Sequence, residues 1–415
     1  MASDIDWNYI NLVKKTVKSE DFFGRSGQYD RQNRYPHENI AALKAIGIPS
    51  MHVSSRFGGP GHTVATQTKA VEEIAYGDPS TAACVNMHWV VADIIAKHAH
   101  RNPHMAALLR DCAENQSMFA GGASIPADEV DASKVGARFR RVEGGWKGSG
   151  RVGFATNSTG ATYAGTVAVI VDGDNRPAGR TILILKPPLN TPGVVVKDDW
   201  SAMGLRATAT NTIEIKDAFV DERYAFEIDL DELKPGLRDQ DESGSAGYTV
   251  RSGRSQISKG GMWLGHARRM LNYMEDFLGK RKGTTGVNVQ GASLSSRSEI
   301  PWAQSTFGRL RHWVESGDLV LYATIEKISE ESMGQVARAD RMLIAMYHMR
   351  RMCEEVNKES FRLAGAHGFV TARPYERMFR DMMGYIATAY KAPEMEEHLG
   401  RAGLGHVFAL NASGG

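Results

Sequence analysis

The chain has 415 residues, which is enough for two or three domains or for one large composite unit. Hydrophobic residues make up 42% and charged residues 24%, as in an ordinary soluble globular protein, and the formal net charge is +2. This nearly neutral balance gives no reason to expect nucleic acid or a membrane surface as a partner.

The number and spacing of the cysteines and the lengths of the hydrophobic runs indicate the cellular compartment of the protein. Cys84, Cys112 and Cys353 are scattered without a C-x-x-C pair, which argues against a disulfide framework and against a zinc site, so we predict no metal. The N-terminus lacks a basic start followed by an apolar core, and no stretch approaches the ~20 apolar residues of a membrane span. These features favour a reduced, cytoplasmic protein.

The first part of the chain is predicted to be helical. Apolar residues at helical spacing predict helices over about 40–46, 64–75, 82–96 and 104–114. The run Gly77-Asp78-Pro79 ends the second of these helices, and Ser80 or Thr81 is the predicted N-terminal cap of the third. Residues 1–118 are therefore predicted to form an N-terminal helical domain.

The pattern changes near Phe119 to short runs that are β-branched or alternate in polarity. These runs lie at 138–142, 167–171, 181–185, 194–196 and 212–215. Since Gly, Pro, Asp and Asn separate them, residues 119–235 are predicted to form an antiparallel β-domain.

The remainder is again predicted to be helical, with long periodic segments at about 256–280, 302–331 and 334–363. The fold class is therefore α+β, with an N-terminal helical domain, a middle antiparallel β-domain and a C-terminal helical bundle over 236–415. One helical region interrupted by an inserted β-domain is the simplest interpretation. A cleft between such layers is a natural site for a small molecule.

Six segments along this order carry recognisable motifs. They are 56–61 (RFGGPG), 123–126 (ASIP), 146–157 (WKGSGRVGFATN), 203–211 (MGLRATATN), 362–369 (RLAGAHGF) and 374–381 (PYERMFRD). In this order, and on this predicted secondary structure, they resemble motifs of the acyl-CoA dehydrogenase superfamily. The resemblance covers the chain from about Asp30 to its end, and it implies that family's fold.

The resemblance also implies a flavin packed against the β-domain. Ala123 and Ser124 match the strand that approaches the flavin in the family, and Phe154, Ala155 and Thr156 occupy places beside its isoalloxazine ring. A hydroxyl at Thr156 or Ser124 is expected to hydrogen-bond the N5 edge of the flavin or a ring carbonyl. The alternative for Thr156 is an ordinary strand residue.

Further flavin contacts are expected from the C-terminal half. Arg362, Gly365 and Ala366 lie in the glycine motif, where the alternative is a turn that ends a helix, and Lys391 lies near the usual catalytic position. Lys282 stands near the family's Arg-x-Phe-Gly motif, but lysine lacks the planar fork of arginine. The expected cofactor is FAD, with reduced FMN or FAD as a diffusing co-substrate as the alternative.

The sequence departs from the family at the catalytic base. The position eight residues after Asp381 is Ala389, and the alternative position near the start of the next long helix is Ser255, so neither carries the usual Glu. Glu394 is the nearest downstream carboxylate and a poor substitute. This departure favours the superfamily's two-component flavin monooxygenases, which accept reduced flavin from a separate reductase and hydroxylate carbon or nitrogen.

For that chemistry the candidate catalytic residues are Ser124, His88 and Tyr390. Ser124 and Thr156 are candidate hydrogen-bond donors at the flavin, Tyr390 lies beside the missing base, and His88 lies on a helix that lines the substrate side in the family. The alternative for His88 is a core residue with satisfied hydrogen bonds. Arg254 precedes a long helix, where contact with an anionic substrate is an option and a solvated side chain is the favoured interpretation.

Three functions remain open at this point. The favoured one is a flavin-dependent monooxygenase acting on a small organic molecule with a partner flavin reductase. The second is an acyl-CoA or acyl-carrier-protein dehydrogenase with a relocated base, and the third is a catalytically silent flavin-binding scaffold. The resemblance further implies a homo-oligomer, either a tetramer or a dimer.

Overall fold

A computed structural model describes residues 4–100, 102–121, 137–174, 177–229, 254–280, 296–330, 333, 335–388 and 391–405. In this part of the chain, helices come first, a sheet follows and helices come last. The predicted order of the α+β fold is therefore confirmed. The exact domain boundaries at 118 and 235 stay a prediction.

The helices before the sheet differ from expectation at one cap. They are α1 (Trp7–Ser19), α2 (Phe22–Gln32), α3 (His37–Ala45), α4 (Val64–Gly77), α5 (Pro79–His98) and α6 (Pro103–Asn115). The predicted cap of α5 at Ser80 or Thr81 is wrong, because Asp78 is the N-cap and its side chain accepts from Ser80 N at 3.1 Å. Pro79 suits the first helical position, since its missing N–H would have no partner there.

Five α-helices follow the sheet in the described part of the chain, and the first three are long. They are α7 (Arg254–Lys280), α8 (Pro301–Ile328), α9 (Gln335–Ala364), α10 (Pro374–Thr388) and α11 (Ala392–Gly403). Among the residues described, no helix is long and apolar enough to cross a bilayer.

The sheet is mixed rather than purely antiparallel. Its strands are β1 (Phe119–Gly121), β2 (Ala137–Val142), β3 (Gly145–Ala155), β4 (Tyr163–Val171), β5 (Pro177–Leu185), β6 (Val194–Val196), β7 (Asn211–Asp221) and β8 (Ala225–Asp229). The strand order is β6-β7-β3-β2-β4-β5-β8, and β1 pairs with β4. The antiparallel prediction fails at β4, because the connection after β3 brings β4 back parallel to both β2 and β1.

The helices that precede the sheet in the sequence and the helices that follow it share one hydrophobic core. The same buried cluster contains Ile74 of α4, Trp89 of α5, Leu264 of α7, Met349 of α9 and Tyr385 of α10. The sheet is thus inserted into a single helical body, as the simplest interpretation of the sequence expected.

Two glycines of α7 let its backbone touch that of α4. A Cβ on Gly261 would lie 2.4 Å from the Thr68 carbonyl oxygen, and one on Gly265 would lie 2.0 Å from that of Glu72. Both distances are far below van der Waals contact, so no larger residue fits without separating the helices. This crossing fixes the start of α7 relative to the N-terminal helices.

The turn that precedes β7 is held by α10. Leu205 N donates to Asp381 Oδ1 at 2.7 Å, and a Cβ on Gly204 would lie 1.9 Å from the carbonyl oxygen of Arg380. Leu205 and Ala209 both adopt left-handed backbone conformations, with φ of 52° and 43°. The two motifs at 203–211 and 374–381 therefore form one contact, which positions the first residues of β7 against the helical body.

Candidate active site

Three threonine hydroxyls lie in a row where β3 ends and β7 begins. The register of these strands pairs Ala155 with Asn211, which brings the flanking residues together. Thr156 Oγ1 lies 3.0 Å from Thr210 Oγ1, and Thr210 Oγ1 lies 2.7 Å from Thr208 Oγ1. Thr208 Oγ1 donates to the Leu205 carbonyl oxygen at 2.9 Å. We call Thr156, Thr210 and Thr208 the threonine chain.

The proton count gives the threonine chain a direction. Each hydroxyl has one proton, and the Leu205 carbonyl can only accept, so the proton of Thr208 is used there. In the arrangement with that proton on the carbonyl, Thr208 accepts from Thr210, and Thr210 accepts from Thr156. In this arrangement Thr156 gives its only proton to the protein, so it is not the hydrogen-bond donor to the flavin that the resemblance implied. Toward any partner outside the chain, its oxygen presents lone pairs and acts as an acceptor.

The end of β3 is held in place by Asn157. Asn157 has a φ of 72°, and its amide nitrogen Nδ2 donates to the Phe119 carbonyl at 3.2 Å while its Oδ1 accepts from the Tyr35 hydroxyl. Its backbone N–H donates to the Thr208 carbonyl at 3.0 Å. Asparagine tolerates this left-handed conformation better than most residues. These contacts fix Thr156 between β1 and the turn before β7.

An exposed aromatic ring lies beside Thr156. Phe154 has a φ of 52° and keeps 45% of its surface exposed, with its ring edge-on to that of Trp200 at 6.2 Å. Ala155 points the other way and is fully buried in the sheet core. The segment therefore presents an apolar ring and a hydrogen-bond acceptor side by side, which suits a flat heteroaromatic cofactor.

The contacts of His88 favour the structural alternative over a catalytic role. Its side chain is fully buried, Phe119 N donates to Nδ1 at 3.0 Å, and Nε2 lies 3.0 Å from the Pro49 carbonyl oxygen. Because Nδ1 accepts, Nε2 carries the proton and donates. Burial lowers the pKa of His88 to about 3. The ring is neutral and both nitrogens are used, so it orients β1 against α5.

The C-terminal candidates are exposed residues at the end of α9 and at the start of α11. Gly365 has a φ of 56° and ends that helix, as the alternative interpretation expected, and Ala366 is exposed. Arg362 is also exposed and pairs with Glu359 at 2.7 Å. Lys391 is the exposed N-cap residue of α11. On a single chain these residues face outward, so their expected flavin contact stays a prediction.

Four candidates lie outside the described residues. They are Ala123, Ser124, Lys282 and Tyr390, together with Ala389 at the position of the usual base. Their roles remain predictions. Among the residues that are described, no group of three His, Cys, Asp or Glu side chains is arranged to hold a metal ion.

The structure also reveals a polar contact that the sequence did not indicate. Ser255, at the family's alternative base position, donates from its backbone N at 2.9 Å and from its Oγ at 2.5 Å to Asp93 Oδ2. Arg254 beside it is not solvated, and that interpretation is wrong, because its guanidinium is largely buried and donates to the His62 carbonyl. The packing of α7 against α5 buries Ser255 and partly buries Arg254.

Thr208 and Thr210 were likewise missed as functional candidates. The sequence signal was present in the alternating run 207–210 (ATAT), which places hydroxyls at every second position before β7. What the run does not give is the register that sets Thr210 beside Thr156.

Family models match both helical parts of the chain. The model described as "Acyl-CoA dehydrogenase, N-terminal domain" matches residues 14–104, and "Acyl-CoA dehydrogenase, C-terminal domain" matches residues 257–392. Together these matches cover more than half of the chain.

Individual relatives are distant in sequence, but some of the matches extend over most of the chain. The indole-3-acetate monooxygenase of Pseudomonas putida is 24% identical over 367 residues, which is 86% of this chain and 84% of that protein. The oxygenase component of an FADH(2)-dependent resorcinol hydroxylase from Rhizobium sp. is 26% identical over 220 residues, 51% of this chain and 48% of that protein. The solved structure of the dibenzothiophene monooxygenase TdsC from Paenibacillus sp. A11-2 with FMN and indole superposes with a TM-score of 0.82 at 16% identity, covering 97% and 98% of the two chains.

Proposed function

We propose that this chain, which belongs to the acyl-CoA dehydrogenase family, is the oxygenase component of a flavin-dependent monooxygenase. It would take up reduced flavin and use oxygen to hydroxylate a small organic substrate at carbon or nitrogen. The names of its relatives, an indole-3-acetate monooxygenase and a resorcinol hydroxylase oxygenase component, support this class of reaction.

The direction of the threonine chain is the observation that carries the proposal. Oxidised flavin has a bare acceptor nitrogen at N5, whereas reduced flavin has an N–H there. Since Thr156 presents an acceptor, it matches the N–H of the reduced form and opposes the lone pair of the oxidised form. A site with this polarity favours a flavin that arrives already reduced.

The residues around Thr156 fit such a group. Phe154 offers an exposed apolar ring for the flat isoalloxazine system, and the buried Ala155 keeps that strand in the sheet. When bound, the flavin would supply the electrons for oxygen activation. The part of the protein is to orient the ring, to hold a proton at N5 through Thr156 and to keep water away.

A second candidate is dehydrogenation, and one observation favours it. Asp93 lies within hydrogen-bond distance of Ser255, the family's alternative base position, and burial raises its pKa above the ordinary aspartate value. A carboxylate there is a conceivable relocated base. However, its Oδ2 already accepts two hydrogen bonds from Ser255, which lowers its basicity.

The flavin and the partners belong to the proposal too. We propose that either FAD or FMN is accepted, since the solved structure of TdsC contains FMN while the resorcinol hydroxylase is named for reduced FAD. A separate flavin reductase would then supply the reduced form. We also propose a cytoplasmic location, from the scattered cysteines.

A homo-oligomer, as a dimer or tetramer, is proposed from the exposed apolar side chains of the C-terminal helices. Phe369 and Leu404 each expose 77% of their surface, Leu319 exposes 71% and Trp302 exposes 55%. Large exposed apolar side chains such as these are candidates for contacts between chains. Light scattering of the purified protein would measure the state directly.

The deciding experiment is anaerobic titration of the apoprotein with oxidised and with reduced FAD and FMN. We expect the dissociation constant of the reduced form to be lower by about tenfold or more, equivalent to about 1.4 kcal/mol. On mixing with oxygen, the bound reduced flavin should release hydrogen peroxide more slowly than free reduced flavin does.

Two outcomes would contradict the proposal. A tightly bound oxidised flavin that bleaches anaerobically with butyryl-CoA would establish the dehydrogenase. Absence of binding in either redox state would leave the silent scaffold. The titration therefore separates all three hypotheses.

A further inference from the structure

A group of ionisable side chains is enclosed where α5 passes the first turn of α7. Asp93 and Lys97 come from α5, Arg254 from the start of α7 and His52 from the turn after α3. We call these four residues the basic cluster. Ser255 joins α7 to it through its two hydrogen bonds to Asp93.

Several polar atoms of the basic cluster are buried without a hydrogen-bond partner. Both ring nitrogens of His52, the Nζ of Lys97 and the Nε of Arg254 are in this state. His52 has only 6% of its surface exposed. Burying polar groups without partners costs free energy, and burying charged ones costs more. Such a concentration in one place indicates that a ligand completes their hydrogen bonds.

The balance of charge in the basic cluster indicates the kind of ligand that it would bind. The cluster contains two cationic side chains and one carboxylate, and the Oδ2 of that carboxylate is already used by Ser255. His52 Nε2 lies 3.9 Å from Asp93 Oδ1, which is too long for a hydrogen bond. Donors thus outnumber acceptors and positive charge exceeds negative charge. The missing partner is therefore an acceptor that carries negative charge.

Supporting groups keep the cluster basic. Burial lowers the pKa of His52 to about 3, so its ring is neutral and serves as a hydrogen-bonding group rather than as a third cation. The pKa of Lys97 is lowered by burial to about 8, so this lysine is still largely protonated at neutral pH. The N-terminus of α7 adds a partial positive charge next to Arg254.

Helix α5 connects the basic cluster with the threonine chain. Cys84 Sγ contacts the Thr208 carbonyl oxygen at 3.6 Å, and Asp93 lies nine residues further along the same helix. At 1.5 Å per residue this corresponds to roughly 13 Å. In between, Asn86 Nδ2 donates to the Ser255 carbonyl at 3.0 Å, which holds α5 to α7. The two sites are thus at opposite ends of one rigid segment.

We propose that the basic cluster binds a carboxylate group of the substrate, so that the substrate class is a small organic acid. The acid group would then be held at a distance along α5 from the threonine chain, away from the reacting atom of the substrate. This inference rests on the proposed function for its substrate role, but the binding of the acid group can be measured independently of flavin.

The test compares small acids with their uncharged amides. Binding of acetate, benzoate and phenylacetate is measured by calorimetry at pH 7 and constant ionic strength, each against acetamide, benzamide or phenylacetamide. We expect at least one acid to bind about tenfold more tightly than its amide. In Lys97→Met and in Arg254→Met this preference should fall to about threefold or less. Lys44→Met removes a half-buried lysine on α3 outside the cluster and should keep the preference.

Circular dichroism and reduced-flavin binding are recorded for every variant, so that a folding defect is recognised. If no acid is preferred over its amide in the folded wild-type protein, or if both variants retain the preference, the proposal is overturned. A retained acid preference without any flavin binding would overturn the proposed function and leave the acid site standing. The two failures are thus distinguishable.

Discussion

Arg380 of α10 and Asp30 of α2 form a two-pronged ion pair between the two ends of the chain. Arg380 Nη1 lies 2.9 Å from Asp30 Oδ1, and Nη2 lies 2.7 Å from Oδ2. The same guanidinium donates to the Met203 carbonyl at 2.7 Å, in the turn before β7. Only 22% and 12% of the two side chains are exposed. One arginine therefore joins α2, α10 and the turn before β7.

Loss of this arginine should destabilise the fold strongly. Arg380→Met leaves the mostly buried Asp30 with only Arg206, 3.8 Å away, as a counter-ion, and we expect a loss of about 3 kcal/mol in the free energy of unfolding by urea. Arg401→Met, which breaks an exposed pair with Glu397, should cost less than about 1 kcal/mol. Equal losses in the two variants would show that the buried pair has no special role.

Two glycine substitutions should have opposite effects. Gly204→Ala places a Cβ 1.9 Å from the Arg380 carbonyl oxygen, so the turn must move away from α10 and stability should fall by about 2 kcal/mol or more. Gly400→Ala lies inside α11 with open space around its Cβ and should raise stability by about 0.5–1 kcal/mol. Thermal unfolding of both variants measures this, and a tolerated Gly204→Ala would contradict the close contact.

The threonine chain should control which redox state of the flavin binds. Thr210→Val removes the acceptor of the Thr156 proton, so Thr156 becomes free to donate. We expect the preference for reduced over oxidised flavin to fall by about tenfold, because oxidised flavin then gains a donor at N5. Thr212→Val, two residues further along in β7, is the control and should keep the preference. An unchanged preference in Thr210→Val would mean that the chain does not set the polarity of the site.

Buried neutral histidines should make the fold sensitive to acid. Burial lowers the pKa of His52 and of His88 to about 3 and that of His266 to about 4. Their unfolded forms take up protons near pH 6.5 and the folded forms do not, so stability present above that pH is lost as the pH falls toward 4. Each histidine should contribute about 1.4 kcal/mol per pH unit in this range.

The measurement is the difference between variants rather than the wild-type curve. Asp381, whose pKa burial raises to about 7, acts with the opposite sign, because its protonated form is favoured in the folded state. His88→Gln should therefore flatten the loss between pH 6.5 and 4 relative to wild type, whereas His37→Gln, at an exposed position, should not. Parallel curves for wild type and His88→Gln would refute a neutral His88.

Local patterns predicted the order of the elements and five of the described strands, but not β1, β3 or β8. The strand at 194–196 was predicted with the bounds that it has, and the helix predicted over 64–75 is α4, because punctuation by glycine and proline acts within a few residues. The parallel pairing of β4 with β2 depends on the path of a connection, which no short pattern describes.

The polar contacts of the candidate site could not be predicted in the same way. Ser255 and Asp93 are 162 residues apart, and nothing near either residue indicates the other. Thr156 and Thr210 meet only because the register of β3 and β7 places them side by side. The sequence predicted a solvated Arg254 for the same reason. Its burial results from the packing of α7 on α5 and not from its neighbours in sequence.

The glycine-lined crossing of α4 and α7 also affects how the chain is made. Arg268 of α7 pairs with Glu72 of α4 across 196 residues, so α4 is synthesised long before its partner helix exists. At the usual 5–20 residues per second, the apolar face of α4 waits roughly 10–40 seconds on the ribosome. During that time it depends on the other N-terminal helices, or on chaperones, for cover. We therefore expect truncated chains that stop before α7 to be recovered as aggregates rather than as a folded fragment.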